Sequence, residues 1–446
     1  MTLIELPLEL ISVQNNRHFC EAVPKLRIRV ALQRLLMRST VIKSVLTLVV
    51  LGAVSAITFN PDIYKDGLIS AYFSLAVACG AIILLNIRPY LADAVLVVCG
   101  AVLLALADYF VFGFDQYIMS VFSFLGLSAI AVLGVRSIWA EGREQKILLC
   151  GFVPLVLFIF SEWSATSLLD FTEKLHPRTL DLFLYHFDGS LGVQFSFVLG
   201  KMFVQWPWLR TISLLFYIGL PIPLTLVYVR HLVRKGTSAL AIIITFLIVG
   251  PVGVIFFNLF PAAGPLHVFG KAFPFSPLGS EQLRHLLLQP IPMHALRNAI
   301  PSLHMTWVLL AWWNSRGLSW RTRCIAFLFL FFTILATLGS GEHYVIDLIV
   351  AVPFSLMLES LKSIRSTRRE ALTCFSFGLG TVLLWMVMLR FMPSFFWITP
   401  IIPWTLMIAT VAASLWLKRG LESGHILSEE IPKVEVEEPE LASATQ

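Results

Sequence analysis

The chain has 446 residues, of which 57% are hydrophobic and only 13% charged, and its mean hydropathy is +0.82. Apolar runs of about twenty residues recur along it, the length a helix needs to cross a bilayer core. A soluble globular enzyme is excluded, and the formal net charge of +6, distributed over the turns between apolar runs, gives no basis for a nucleic-acid partner.

Inside lipid a spanning segment satisfies its backbone polar groups within itself, so the fold class is all-α, a polytopic transmembrane bundle of about twelve helices, and strands are not expected. Residues 1–38 form a cytoplasmic N-terminal segment with Asn15, Asn16, Arg17, Arg27 and Arg29 among scattered apolar residues. It lacks a short apolar core followed by a small-residue cleavage site, so the first span is expected to act as the insertion signal. Residues 39–146 hold four helices, at Ser39 to Phe59, Leu68 to Ile87, Leu91 to Phe112 and Tyr117 to Val135. Residues 147–361 hold a core of six, at Ile147 to Leu169, Leu209 to Val229, Ser238 to Phe260, Pro301 to Trp313, Cys324 to Leu338 and Tyr344 to Leu361. Two more follow within 362–417, at Ala371 to Met392 and Phe395 to Leu417. Residues 418–446 make an acidic tail, with Glu429, Glu430, Glu435, Glu437, Glu438 and Glu440, whose composition predicts disorder.

Most of the 33 basic residues fall on alternate turns, including Arg136, Arg143, Lys146, Arg230, Arg234, Lys235, Arg316, Arg321, Arg323, Lys362, Arg368 and Arg369. By the positive-inside rule these turns and both termini are cytoplasmic, in a multi-pass protein of the cell membrane. The six cysteines form no paired motif, so neither disulfides nor a metal site is indicated.

Two long connections then lie outside. Asp170 to Trp208 contains Leu180, Phe183, Leu184 and Phe187 at helical spacing beside Arg178, Asp181, Tyr185 and Asp188, the pattern of an amphipathic helix in the interface. Pro261 to Ile300 is rich in Pro and Gly and carries His267, Lys271, Arg284, His285, His294 and Arg297. Its apolar patches predict an ordered cap over the outer helix ends, and its histidines lack metal-ligand spacing. Asn258 and Glu162 read as helix-to-helix hydrogen-bonding residues. The sequence alone does not indicate what Asp93 and Asp108 pair with.

The chemistry concentrates between Arg297 and Asp347. Pro301-Ser-Leu-His304 opens one helix, and Gly341-Glu-His-Tyr344 leads to Asp347, four residues beyond His343. Topology puts both motifs at one membrane face, where ionisable residues favour a wet cavity. Free N–H groups at the helix start, with Ser302, Arg297 and Lys271, suit a phosphate. His343 as nucleophile, Asp347 on its other ring nitrogen, and His304 as proton donor to the leaving oxygen form a working set without a metal or other cofactor. The rival class, a lipid transporter or flippase, would spread ionisable groups across membrane depth. Here they cluster at one face.

The order Pro-Ser-x-His, basic turn, span, His-x-x-x-Asp resembles the type-2 phosphatidic acid phosphatase superfamily, over about Ile147 to Leu361. Pro261-Ala-Ala-Gly-Pro265 and Gly341-Glu-His-Tyr344 are similar to its inositolphosphotransferase branch, which includes inositol-phosphorylceramide synthases. The resemblance implies the same roles for His343, Asp347 and His304, a phosphohistidine intermediate, a lipid phosphate or phospholipid donor and an alcohol acceptor or water. The usual Ser-Arg pair before the nucleophile is Ala336-Thr337 here, and Arg88-Pro89 does not replace the missing Lys-x6-Arg-Pro motif. Loss of that arginine agrees with the transferase branch and makes Arg297 the expected phosphate clamp.

Overall fold

A computed structural model describes residues 71–87, 89–112, 118–364 and 367–430, with side chains for all of these except 111–112, 118–119, 160–167 and 424–430. The segment 1–38, the span expected at Ser39 to Phe59, Arg88, the Glu162 side chain and the tail beyond 430 lie outside what is described.

The described chain is all-α in class, with one two-residue antiparallel ladder that the expectation of no strands did not include. Four helices come first, α1 (Ala71–Asn86), α2 (Leu91–Phe112), α3 (Ile118–Trp139) and the long α4 (Gly142–Leu175). Asp93 has a partner after all: its carboxylate accepts from Arg136 at 2.7 Å and caps α2 through Tyr90 N at 2.7 Å. The two-residue strand β1 (Arg178–Thr179) leads into α5 (Asp181–Ser190), α6 (Phe195–Gln205), α7 (Pro207–Ile218), α8 (Pro221–Lys235) and α9 (Leu240–Leu259). In the following segment α10 (Pro265–Phe269), α11 (Ser280–Arg284) and β2 (Ile291–Pro292) form the cap, and β2 pairs antiparallel with β1. The bundle closes with α12 (Leu303–Asn314), α13 (Trp320–Gly339), α14 (Val345–Leu361), α15 (Arg368–Phe391) and α16 (Ile401–Glu430). The last helix runs to Glu430, past the span end expected at Leu417, so residues 418–430 of the tail expected to be disordered are helical.

The count of about twelve spans is not supported. Among the described residues six stretches are long and apolar enough to cross a membrane: Leu91–Phe110, Ser120–Trp139, Pro221–Leu259, Trp320–Gly339, Arg368–Phe391 and Ile401–Ser423. The difference has local causes. The run expected at Leu209 to Val229 is interrupted after Ile218, where Pro221 opens a new helix. Moreover α1, α12 and α14 have only 16, 12 and 17 residues.

The expected interfacial helix is also different. In α5, Asp181, Leu184, Tyr185, Phe187 and Asp188 are all buried, so both faces of the amphipathic pattern are used inward. Asp181 accepts backbone N–H groups of Ala263 at 3.1 Å and Gly264 at 2.8 Å. Asp188 accepts from Val345 N at 3.1 Å. Burial pushes both carboxyls above the ordinary range, Asp188 furthest, against the pull of these donors. The helix thus ties the cap and the start of α14 to one element. Trp206 and Trp208 are exposed at the α6–α7 corner.

Candidate active site

Helices α12 and α14 run side by side in the same direction. Ser302 N donates to Asp347 O at 3.2 Å near their starts, and Asn314 Nδ2 donates to Glu359 Oε2 at 3.1 Å near their ends. This pairing brings the two motifs together.

Ser302 is the N-cap of α12, its Oγ accepting from Met305 N at 3.4 Å. The same Oγ lies 3.2 Å from His343 Nε2. On the other side of that ring, Nδ1 is 3.3 Å from Asp347 Oδ2, which also accepts from Tyr344 N at 2.8 Å. His343 and Asp347 are buried, and Asp347 Oδ1 has no hydrogen-bond partner. The carboxylate thereby orients the imidazole and leaves Nε2 as the nitrogen facing Ser302.

The loop carrying His343 is fixed from several directions. His343 N donates to Thr337 O at 3.2 Å, Ser196 Oγ donates to His343 O at 2.8 Å, and Leu266 N donates to Gly341 O at 2.8 Å. Gly264, at φ 113°, sits so close to the Glu342 carbonyl that a Cβ would collide with it. That close approach explains a glycine within Pro261-Ala-Ala-Gly-Pro265. Glu342 also faces His267 at 3.6 Å, and this carboxylate raises the His267 pKa.

His304, in the first turn of α12, is only half-buried. Its Nε2 lies 3.3 Å from the Tyr72 hydroxyl and its Nδ1 lies 3.0 Å from the Tyr217 hydroxyl. The Tyr217 ring stacks on the imidazole with centroids 3.9 Å apart and planes 17° apart.

Arg297 is not part of this cluster. It is fully buried, donating to His176 O through Nε at 3.0 Å and Nη2 at 2.8 Å, to Met293 O at 2.8 Å, and to Ala295 O. A guanidinium has five N–H donors, and backbone carbonyls take four hydrogen bonds from this one. The expected phosphate clamp is therefore a brace joining the cap to the end of α4. Lys271 is exposed on the Gly270–Ala272 turn. Thr337, where the superfamily motif has arginine, is fully buried and turns its hydroxyl onto Thr333 O at 2.9 Å.

Other polar residues are also placed. Asn258 Oδ1 is 3.1 Å from His176 Nε2, a contact between neighbouring segments. His285 and His294 pair with Glu281 and Glu173 at the surface. Tyr72, Tyr217 and Ser196 were not anticipated from sequence, because isolated hydroxyl residues carry no local motif.

The apolar helices fit an integral membrane protein, in which Ser302, His343 and Asp347 are in contact and His304 follows Ser302 in the same first turn. Residues 182–360 match the family model of the PAP2 superfamily, a segment that contains Ser302, His304, His343 and Asp347. The match supports the superfamily for this part of the chain, and with the apolar helices it fits an integral membrane lipid phosphatase. No curated protein and no solved structure gives a match.

Proposed function

We propose that the protein is a lipid phosphatase or phosphotransferase that carries the phosphoryl group on His343. The observation behind this reading is the line Ser302 Oγ, His343 Nε2, His343 Nδ1, Asp347 Oδ2, with contacts of 3.2 and 3.3 Å. Neutral His343 attacks phosphorus through Nε2, the N–P bond forming as the bond to the lipid oxygen breaks. Asp347 stabilises the charge that develops on the ring. His304 protonates the leaving oxygen and later takes the proton of the incoming water or alcohol as the N–P bond breaks.

The phosphate oxygens are received by Ser302 and by N–H groups at the start of α12. Lys271, on the exposed cap turn, helps to attract the anionic headgroup. Arg297 holds the cap and does not touch phosphate. Water as acceptor makes a phosphatase; inositol, a sugar or a lipid hydroxyl makes a transferase. Pro261-Ala-Ala-Gly-Pro265, Gly341-Glu-His-Tyr344 and the absence of arginine at 337 support the inositolphosphotransferase branch. Charge distribution supports a site on the non-cytoplasmic face of the cell membrane, with cytoplasmic termini.

The test is purified protein offered a panel of lipid phosphates and phospholipids, with and without alcohol acceptors, followed by product analysis and acid quenching to detect phosphohistidine. Product formation lost in His343→Ala is the expected result. Near-normal turnover in that variant overturns the proposed nucleophile.

A further inference from the structure

Tyr72 lies in α1, outside the segment 182–360 that matches the superfamily, yet its hydroxyl reaches His304. Each nitrogen of that imidazole has a tyrosine oxygen nearby, at 3.3 Å for Nε2 and 3.0 Å for Nδ1. The two contacts are geometrically unlike. The Tyr217 ring lies nearly flat on the imidazole, 3.9 Å between centroids and 17° between planes, so a hydroxyl in the plane of that ring sits above the imidazole face. Nitrogen lone pairs and N–H bonds point outward in the ring plane, and hydrogen bonds weaken steeply away from that axis. Tyr217 is therefore held to His304 by stacking. Tyr72 is different: its ring is not stacked on the imidazole but tilted by 56° with its centroid 6.2 Å away, and its hydroxyl, which also hydrogen-bonds with Tyr217, contacts Nε2 at 3.3 Å.

We propose that Tyr72 is the positioning residue for His304: its hydroxyl holds Nε2, Tyr217 fixes the ring plane, and Nδ1 is the nitrogen that exchanges the proton with substrate. This rests on the catalytic reading above. A phenol both donates and accepts, so Tyr72 accepts from Nε2–H while His304 is the imidazolium. It keeps that contact after Nδ1–H has passed to the leaving oxygen and the neutral ring remains. Nδ1 then recovers a proton from the incoming water or alcohol. Asp347 does the corresponding service for His343, by way of a carboxylate instead of a neutral hydroxyl. An uncharged partner suits an acid, because a carboxylate would hold the proton that has to leave. The N-terminal helices thereby become part of the catalytic unit.

The experiment compares wild type, His343→Ala and Tyr72→Phe on two probes, a short-chain phosphatidic acid and p-nitrophenyl phosphate. The alkoxide leaving group of the first needs a proton; the nitrophenolate of the second does not. Tyr72→Phe is expected to lower kcat on the phosphatidic acid roughly tenfold with KM nearly unchanged, a part of the 10²–10⁴ that general acid catalysis supplies. Its loss on p-nitrophenyl phosphate should be less than about twofold. Equal losses on both probes, or no loss on the first, overturn the assignment. Full activity in His343→Ala instead overturns the catalytic reading, which separates the two failures. A measurement independent of turnover uses ¹⁵N-histidine NMR of the resting protein, with His304→Gln to assign the signals. The His304 Nε2 resonance should move in Tyr72→Phe, and an unchanged resonance would refute the contact.

Discussion

The two ends of the α12–α14 pair bury polar groups in opposite ways. At the Ser302 end each ring nitrogen of His343 has one contact, at 3.2 and 3.3 Å, Asp347 Oδ2 also accepts from Tyr344 N while Oδ1 has no partner, and Arg297, the expected clamp, is engaged elsewhere. At the Asn314 end the buried Glu359 is surrounded: Lys362 pairs with it, Lys418 lies at 3.5 Å, and Asn314 donates at 3.1 Å while accepting from Lys362 at 2.5 Å. Glu422 extends this network to Lys418 at 2.6 Å and Arg316 at 2.5 Å. One end is compensated and the other is poised. Burial without full compensation is what a site needs if a ligand is to complete it, whereas the compensated end fastens α16 to the pair.

The sharpest way to break this contrast is His343→Ala, for which phosphoryl turnover is expected to fall by at least about 10⁴-fold while the unfolding temperature changes little. His304→Gln should reduce turnover on an alkyl phosphate by about 10²–10⁴, again without loss of fold, as measured by steady-state kinetics on protein of verified stability.

At the opposite end the signature reverses. Glu359→Gln leaves Lys362 and Lys418 without their shared carboxylate and is expected to destabilise the protein by about 3 kcal/mol, read by denaturation in detergent. An activity loss in that variant without a change in stability would contradict the division.

Smaller effects come from the elements around the site. Trp397 Nε1 donates to His186 Nδ1 at 3.1 Å, a bond that requires the neutral ring, and burial lowers the His186 pKa to about 4. A histidine with a depressed folded pKa stabilises fully above its unfolded value of about 6.5, and the contribution is lost as pH falls towards about 4. Acid melting curves should therefore flatten over that window in His186→Gln. His267 has the opposite sign: Glu342 raises its pKa, so the cap contact is fully present below about 6.5 and fades as pH rises through the elevated value. The smallest change is expected for Lys271→Ala, a rise in KM of about twofold that disappears at high salt.

Much of the site was legible because its geometry is local. Asp347 lies four positions after His343, and one turn at the start of α14 brings the carboxylate back to Nδ1. Ser302 reads as a cap for the same reason. Charge on alternate turns gave the argument that the two motifs share a face, and the Ser302–His343 contact brings those motifs together. The reading of Arg297 failed because a long cation in a cap has many possible partners, and the carbonyl of His176, 121 positions away, becomes its neighbour only after the cap closes over α4. The interfacial reading of α5 failed similarly, since amphipathic spacing cannot tell a polar face turned to water from one turned towards buried N–H groups. The span count suffered from helices too short to cross the bilayer alone.

By itself the sequence determined that this is a helical membrane protein in which His343 and Asp347 share one helix start and Ser302 caps another, because hydropathy and short-range spacing act within one segment. Only the tertiary structure decided that Asp181 and Asp188 anchor the loops, that Arg297 is a brace, and that Tyr72 and Tyr217 meet His304. Those contacts join residues from 82 to 232 positions apart, where packing of whole helices, not local chain geometry, sets which side chains touch.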